Sequence, residues 1–412
     1  MKSPVPDYLR EVLDSLSSTT DGEVADYIPD LAHANPDVFG IAVTTVDGRT
    51  HSVGDDETEF SIQSISKPFA YAAALTDRGF DAVLDTVGVE PSGEAFNELS
   101  LEGDTRRPKN PMINAGAIAT HSLLGSSVDE RTSRALSFFS TLAGRQLSVD
   151  ESVCRSELDT ADRNLAIAHM LRNYGILPDE AHAVVEGYTT QCSINVTVRD
   201  LSLMGATLAS GGVHPTTGEQ VVSRAVARQT LSVMAGAGMY DAAGHWLTSV
   251  GIPAKSGVAG GLLGSLPGQV GIGVLSPRLD SHGNSVRGVK VFERLSDDMG
   301  MHLMDVEPYG SSVLRSIRDE DGESTIELQG VVQFGGAEML LDALSRDTSS
   351  GTVVFDVSRV NRFSDVGRRM TLEGMRRIAL DGRDVALIDP DGVLPDPNLG
   401  DGTYPRIRTQ DA

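Results

Sequence analysis

The chain reads as an α+β fold: a larger domain with strands at both ends and helices between them, then a smaller domain in which strands and helices alternate. Three observations lead there. Val38 to Thr45 is an apolar, β-branched run joined through Asp47-Gly48 to a second run from Thr50 to Val53, the pattern of a β-hairpin. From about Asp81 to Gly251 apolar residues recur at three-to-four spacing, and strand-like patterning returns only from Ile252 to Leu275. Beyond a shift in composition between Met299 and Ser312, strand and helix signals alternate along the rest of the chain. These readings place a first domain at residues 1–299 and a second at 312–412.

Each element follows from its pattern. Tyr8, Leu9, Val12, Leu13 and Leu16 form the apolar side of an amphipathic first helix. Ser64 to Arg78 is apolar on nearly every face, as a buried helix requires, and Gly79 follows as a C-cap. Arg131 to Leu142, Thr160 to Tyr174, Pro178 to Gln191 and Thr197 to Ala209 have helical periodicity, separated by Gly/Asn/Pro loops, notably Arg107 to Gly116. The uncharged run from Ser256 to Pro277 is long enough for a membrane span, but its glycines and Pro267 break it into two short strands with a turn. A charged helix is expected from about Asn284 to Asp298. In the second domain, Ser324 to Gln329, Gly351 to Val357 and Val385 to Ile388 read as strands, with helices at Phe334 to Leu344 and Thr371 to Leu380.

Composition narrows the function. The formal net charge is −24 over 412 residues, and Lys2, Lys67, Lys109, Lys255 and Lys290 are all the lysines. Such an acidic surface repels phosphate backbones and anionic lipid, which argues against nucleic-acid and membrane partners and reads as a solubility adaptation. Cys154 and Cys192 lack C-x-x-C spacing and are too few for a disulfide framework, and the N-terminus has no apolar signal core. A cytoplasmic location is the expectation. No G-x-S-x-G, H-E-x-x-H, G-x-G-x-x-G or phosphate-loop motif occurs, and the nine histidines lack paired ligand spacing, so no metal or other cofactor is expected.

The chemistry concentrates in Phe60-Ser-Ile-Gln-Ser-Ile-Ser-Lys-Pro-Phe69, where Ser64 precedes Lys67 by three residues at a helix start. Positions i and i+3 share a face, so the Lys67 amine can reach the Ser64 oxygen. A free serine is a poor nucleophile; a lysine whose pKa falls on desolvation is a base that activates it. Lys255-Ser-Gly-Val-Ala-Gly-Gly261 supplies the K-[ST]-G element that accompanies S-x-x-K in serine acyl-transfer enzymes. Its backbone N–H groups, with that of Ser64, can form an oxyanion hole; alternatively its glycines serve only close sheet packing. Asn114 and Asn164 are amides beside apolar segments, Glu157 reads alone as a helix-start acid, and Tyr27, Tyr188 and Tyr240 read singly as core residues.

Taken together these segments resemble the serine-dependent glutaminases, a family built like the serine β-lactamases and penicillin-binding proteins, with an antiparallel sheet and a helical subdomain. The likeness spans about Gly22 to Met299 and rests on Gly22-Glu-Val-Ala-Asp-Tyr-Ile-Pro29, Gln63-Ser-Ile-Ser-Lys67, Asn110-Pro-Met-Ile-Asn-Ala-Gly-Ala117, Ser156-Glu157 with Arg163-Asn164, Gly187-Tyr-Thr-Thr-Gln-Cys-Ser193 and Lys255 to Gly261. It implies hydrolysis of L-glutamine to L-glutamate and ammonia through a γ-glutamyl ester, with Ser64 as nucleophile and Lys67 as its base partner. Tyr188 and Tyr240 would relay protons or bind substrate, and the Ser64 and Val258 amides would hold the oxyanion. Tyr27, Gln63, Asn114, Glu157 and Asn164 would hold the amino acid, the carboxylate of Glu157 suiting its ammonium. A homo-oligomer, dimer or tetramer, is also expected.

Residues from about Ser312 to Ala412 resemble a STAS domain, with Thr352-Val-Val-Phe-Asp-Val-Ser-Arg-Val-Asn361 as its central strand and following turn. The resemblance implies a possible docking site for a protein partner. Val366 stands where phosphorylated members carry a serine, after Ser364-Asp365. Two other functions compete: a penicillin-recognising acylase or β-lactamase, which the missing Ser-Asp-Asn triplet disfavours, and a non-catalytic glutamine sensor.

Overall fold

The computed structural model describes residues 3–94, 98–305, 313–320, 322–346 and 351–409. The chain divides into two compact units, Met1–Asp305 and Val306–Ala412, so the first unit runs past the expected limit at 299. Residues 306–312 of the expected boundary lie outside the described residues.

In the first unit, strands β1 (Gly40–Thr45) and β2 (Thr50–Gly54) are the expected hairpin, with the Gly48 N–H donating to the Thr45 carbonyl at 2.9 Å. Two-residue strands β3 (Phe60–Ser61) and β4 (Asn195–Val196) pair with each other. Strands β5 (Ala254–Ser256), β6 (Gly261–Leu266) and β7 (Val270–Leu275) complete an antiparallel sheet in the order β2-β1-β7-β6-β5. The chain thus closes its sheet with segments from both ends of the unit. The uncharged run is indeed two strands, and no described helix is long and apolar enough to cross a membrane.

Strand alternation sorts the two faces of this sheet. Ile41, Val43, Ile272 and Val274 join Leu9 and Val12 of the Val5–Leu16 helix and Val291, Phe292 and Leu295 of the Val286–Met299 helix in one buried cluster. The intervening positions of β7, Gly271 and Gly273, face the Val198–Ala209 helix. A Cβ on Gly271 would lie 2.1 Å from both the Ser202 carbonyl oxygen and the Ala206 nitrogen, and one on Gly273 would lie 2.3 Å from the Val198 oxygen. Their lack of side chains lets helix and sheet backbones touch, and Thr44 and Ser202 hydroxyls bond across the contact at 2.7 Å.

The helical part surrounds the Ser66–Arg78 helix, buried from Ser66 through Leu75, which accounts for its apolar residues on every face. Three elements depart from expectation. Residues 107–116 are not all loop, because a buried helix starts at Asn114 and runs to Ser122. Gly116 sits inside that helix, where a Cβ would come within 1.8 Å of the Asn110 oxygen; close packing explains a glycine that reads as a loop marker. Glu157 is not at a helix start but near the C-terminal end of the Glu151–Leu158 helix, whose N-cap is Asp150. The Arg224–Ala237 helix falls inside the stretch of helical spacing from Asp81 to Gly251 but was not singled out as an element.

The second unit is a five-stranded sheet in the order β12-β11-β10-β9-β8, made of β8 (Leu314–Glu320), β9 (Glu323–Val332), β10 (Val353–Phe363), β11 (Val385–Ile388) and β12 (Arg406–Ile407). Strand β8 pairs antiparallel, and the other pairings are parallel. Helices Phe334–Arg346 and Asp365–Leu380 connect the parallel strands and bury Leu340, Met375 and Ile378 with Ile326, Val353 and Phe355. The turn expected near Ser358 to Asn361 is instead strand, kept in β10 by two register shifts against β9.

The glycine contact gives a stability prediction. Gly271→Ala would press a methyl group onto backbone atoms that cannot rotate away, so a loss of about 1–3 kcal/mol is expected. Urea denaturation would show it as a lower midpoint at constant slope; an unchanged midpoint would mean that the helix does not bear on the strand.

Candidate active site

Ser64 lies in a 3-10 turn, Gln63–Ile65, that leads into the Ser66–Arg78 helix. Gln63 has φ 51°, in the left-handed region that is costly for a residue with a Cβ. The backbone around it is pinned: Ile62 N–H donates to the Ile194 oxygen at 2.8 Å beside the β3–β4 pair. Gln63 Nε2 donates to Glu157 Oε2 and to Ser61 Oγ, each at 3.2 Å. The chain therefore reverses abruptly just before the hydroxyl and presents it at the end of a buried helix.

Ser64 lines a cavity of about 240 Å³ together with Tyr27, Gln63, Asn114, Glu157, Asn164, Tyr188 and Val258. Lys67 and Tyr240 do not line it, but each contacts a residue that does, Asn114 and Ser64 respectively. Lys67 Nζ donates to Asn114 Oδ1 at 2.7 Å, and Asn114 Nδ2 donates to Asn164 Oδ1 at 3.0 Å. The expected Lys67–Ser64 hydrogen bond is absent among the described residues, because the amine is turned to Asn114. Tyr240, also in the left-handed region at φ 57°, interacts through its phenol with the Ser64 hydroxyl. Lys255 Nζ donates to the Tyr240 oxygen at 2.7 Å and lies 3.9 Å from the ring centre, while Lys67 Nζ lies 5.5 Å from that centre.

Burial sets the electrostatics. Loss of water brings the Lys67 amine down to about 7, with Cys192 and Glu157 opposing the shift. Burial, reinforced by the Lys67 charge, holds Lys255 well below the ordinary lysine range. The Glu157 carboxyl is pushed up to about 7 by burial, against the pull of Gln63 and Lys67. Burial also raises the phenols of Tyr188 and Tyr240 and keeps them protonated.

Val258 sits in the turn between β5 and β6, so the expected strand stops at Ser256. Among the described residues, neither the Ser64 nor the Val258 backbone N–H has a hydrogen-bond acceptor. Gly257 lies against the start of the Gln63–Ile65 turn, where a Cβ would be 3.1 Å from the Ile62 oxygen, so its glycine serves packing. Sequence reasoning did not select Ile28, Thr160, Ala161, Arg163 or Cys192 as lining residues, although Ile28, Arg163 and Cys192 fall inside the quoted motifs. It also left Lys255 out of the candidate site despite the K-[ST]-G element.

Comparison with known proteins bears on this arrangement. The glutaminase family model matches residues 22–304. The glutaminase of Corynebacterium glutamicum is 56% identical over 98% of this chain and 99% of its own length. That of Corynebacterium efficiens is 54% identical over 97% of this chain and 96% of its own. The crystal structure of Mglu in its glutamate form superposes with a TM-score of 0.90 at 50% identity, covering 96% of this chain and all of that one. With the family model matched over most of the first unit and relatives this similar along nearly their whole length, the chain belongs to the glutaminase family.

Proposed function

We propose that this chain hydrolyses L-glutamine to L-glutamate and ammonia, with Ser64 as the nucleophile. The observation that carries the reading is the set of candidate residues around one small cavity, lined by both Ser64 and Val258, whose backbone N–H groups have no acceptor among the described residues. The cavity is smaller than the ~300–1,000 Å³ usual for drug-sized ligands and suits a single amino acid. Mglu, crystallised in a glutamate form, holds the product of this reaction.

In this reading Glu157 receives the α-ammonium, while Asn164, Tyr27 and neighbouring donors receive the α-carboxylate. Lys67, as a neutral amine, leaves Asn114 to take the Ser64 proton while the serine oxygen bonds to the γ-carbon. The resulting oxyanion accepts hydrogen bonds from the Ser64 and Val258 N–H groups. The carbon–nitrogen bond then breaks as the nitrogen gains a proton, with Tyr240 or Tyr188 as relay, and ammonia departs. Water attacks the γ-glutamyl ester by the same route in reverse, restoring Ser64 and releasing glutamate. Both alternative functions are disfavoured by the relatives' shared identity as glutaminases.

The second unit we assign to the STAS type, on the strength of its parallel strands alternating with two helices. Its proposed role is regulation or assembly, with the catalytic domain at residues 1–299 and the STAS-like domain at 312–412 as first bounded. Ser364 N-caps the Asp365–Leu380 helix by accepting from Gly367 N–H at 3.1 Å, and Val366 carries no hydroxyl to modify. A cytoplasmic location and a dimeric or tetrameric assembly complete the proposal.

Ser64→Ala is expected to abolish ammonia release while the protein stays folded; a tenth of the wild-type rate would contradict the covalent path. Glu157→Gln should weaken glutamine binding by about 1.5–3 kcal/mol. Asparagine, shorter by one methylene, should be turned over poorly because it cannot span Glu157 and Ser64 together. Activity also requires Lys67 neutral and Glu157 charged, and both groups sit at about 7. As pH falls through that range, each gains a proton and each gain removes activity. The log kcat/KM profile should therefore drop with a limiting slope of about two, and with a slope of about one in Glu157→Gln. A profile that is flat from about pH 6 to 8 would contradict this assignment.

A further inference from the structure

The Gly187-to-Ser193 segment contributes Tyr188 to the site, yet another of its side chains reaches the nucleophile turn from behind. Gln191 Nε2 donates to Ser66 Oγ at 2.9 Å, and Gln191 Oε1 meets His121 Nδ1 at 2.8 Å. Ser66 Oγ in turn contacts Cys192 Sγ at 3.9 Å. His121, Gln191 and Ser66 each have no exposed surface. The polarity of this chain follows from its parts: an amide that donates from nitrogen to Ser66 offers only its oxygen to His121, so His121 carries its proton on Nδ1.

That leaves His121 Nε2 as a lone pair, and it has no hydrogen-bond partner among the described residues. Gly187 makes room for it, since a Cβ there would lie 2.5 Å from Nε2. The ring also meets Tyr188 edge-on, with centres 6.4 Å apart. Burial brings the imidazole down to about 4, consistent with a neutral ring. One face of the Ala181–Cys192 helix thus grips His121 through Gly187, Tyr188 and Gln191 and passes the contact to Ser66.

We propose that His121, Gln191 and Ser66 form a buried positioning network that fixes the junction between the Ser64 turn and the helix start that carries Lys67. Ser66 lies between those two residues in sequence, so tying its hydroxyl to a fully buried amide restrains the backbone that aims both. The same helix face presents Tyr188 to the cavity, which couples the placement of phenol and nucleophile. None of the three lines the cavity; they act through the residues that do.

The inference rests on the assignment of Ser64 and Lys67, and the experiment separates the two. Gln191→Met, Ser66→Ala, His121→Leu and His121→Asn are purified and compared in kcat, KM and thermal midpoint, with Ser64→Ala alongside. Gln191→Met and Ser66→Ala should lose about tenfold or more in kcat while KM stays within about threefold, the signature of a misplaced catalytic group rather than lost binding. His121→Asn should recover most of the kcat lost in His121→Leu, because its amide N–H stands where the Nδ1–H stood. Folded Gln191→Met with wild-type kcat overturns the network. So does equal loss in His121→Asn and His121→Leu with lowered thermal midpoints, which marks burial alone. Activity surviving in Ser64→Ala overturns the nucleophile assignment, a result that does not resemble either of these.

Discussion

Two lysine amines, Lys67 and Lys255, lie fully buried within reach of one tyrosine ring, and everything about the site depends on keeping water from them. In water an ammonium would be no base at neutral pH. Removing its hydration disfavours the charge, and a second amine nearby disfavours it further. The carboxylate that acts on Lys67, Glu157, is itself so poorly hydrated that its pKa rises to meet that of Lys67. Each charge is only partly compensated by the other, and in the proposed reading a zwitterionic substrate adds its own ammonium and carboxylate beside them. A glutamine that enters this cavity is therefore an electrostatic complement as well as a reactant.

Packing makes such dryness possible. The Ser66–Arg78 helix is enclosed, and the Val198–Ala209 helix comes into backbone contact with the sheet at Gly271 and Gly273. Strands β3 and β4, only two residues each, join the turn before Ser64 to the end of the Ala181–Cys192 helix. The left-handed backbone at Gln63 and Tyr240 shows where this enclosure imposes strain, on either side of the reacting hydroxyl. Those two residues hold unfavourable conformations because their surroundings leave no alternative.

Much of this was legible in the chain. The β1–β2 hairpin followed from Asp47-Gly48, and Ser64 with Lys67 stood out because a helix turn places them together. Glu157, Asn114 and Asn164 were different. Alone each had an ordinary structural reading, and only the ordered set of motifs singled them out. The Asn114–Ser122 helix was hidden by Pro111 and Gly116, residues that normally mark loops but here permit close backbone contact. The Arg224–Ala237 helix did carry a readable pattern, with Val226, Ala227, Thr230, Leu231 and Met234 on its buried side. Strands β8 and β12 were missed because charged edge strands lack the alternation of a buried face. The left-handed φ of Gln63 and the turn of Lys67 toward Asn114 are tertiary outcomes, with no local sequence signal.

The covalent role of Ser64 is the centre of this account, and it can be tested by trapping the intermediate. Wild-type protein mixed with saturating glutamine, quenched in acid within a turnover and digested, would be analysed by mass spectrometry. The account predicts one γ-glutamyl group esterified on the peptide that contains Ser64. An adduct on Cys192, or steady turnover with no acylated peptide under conditions that preserve esters, would contradict it.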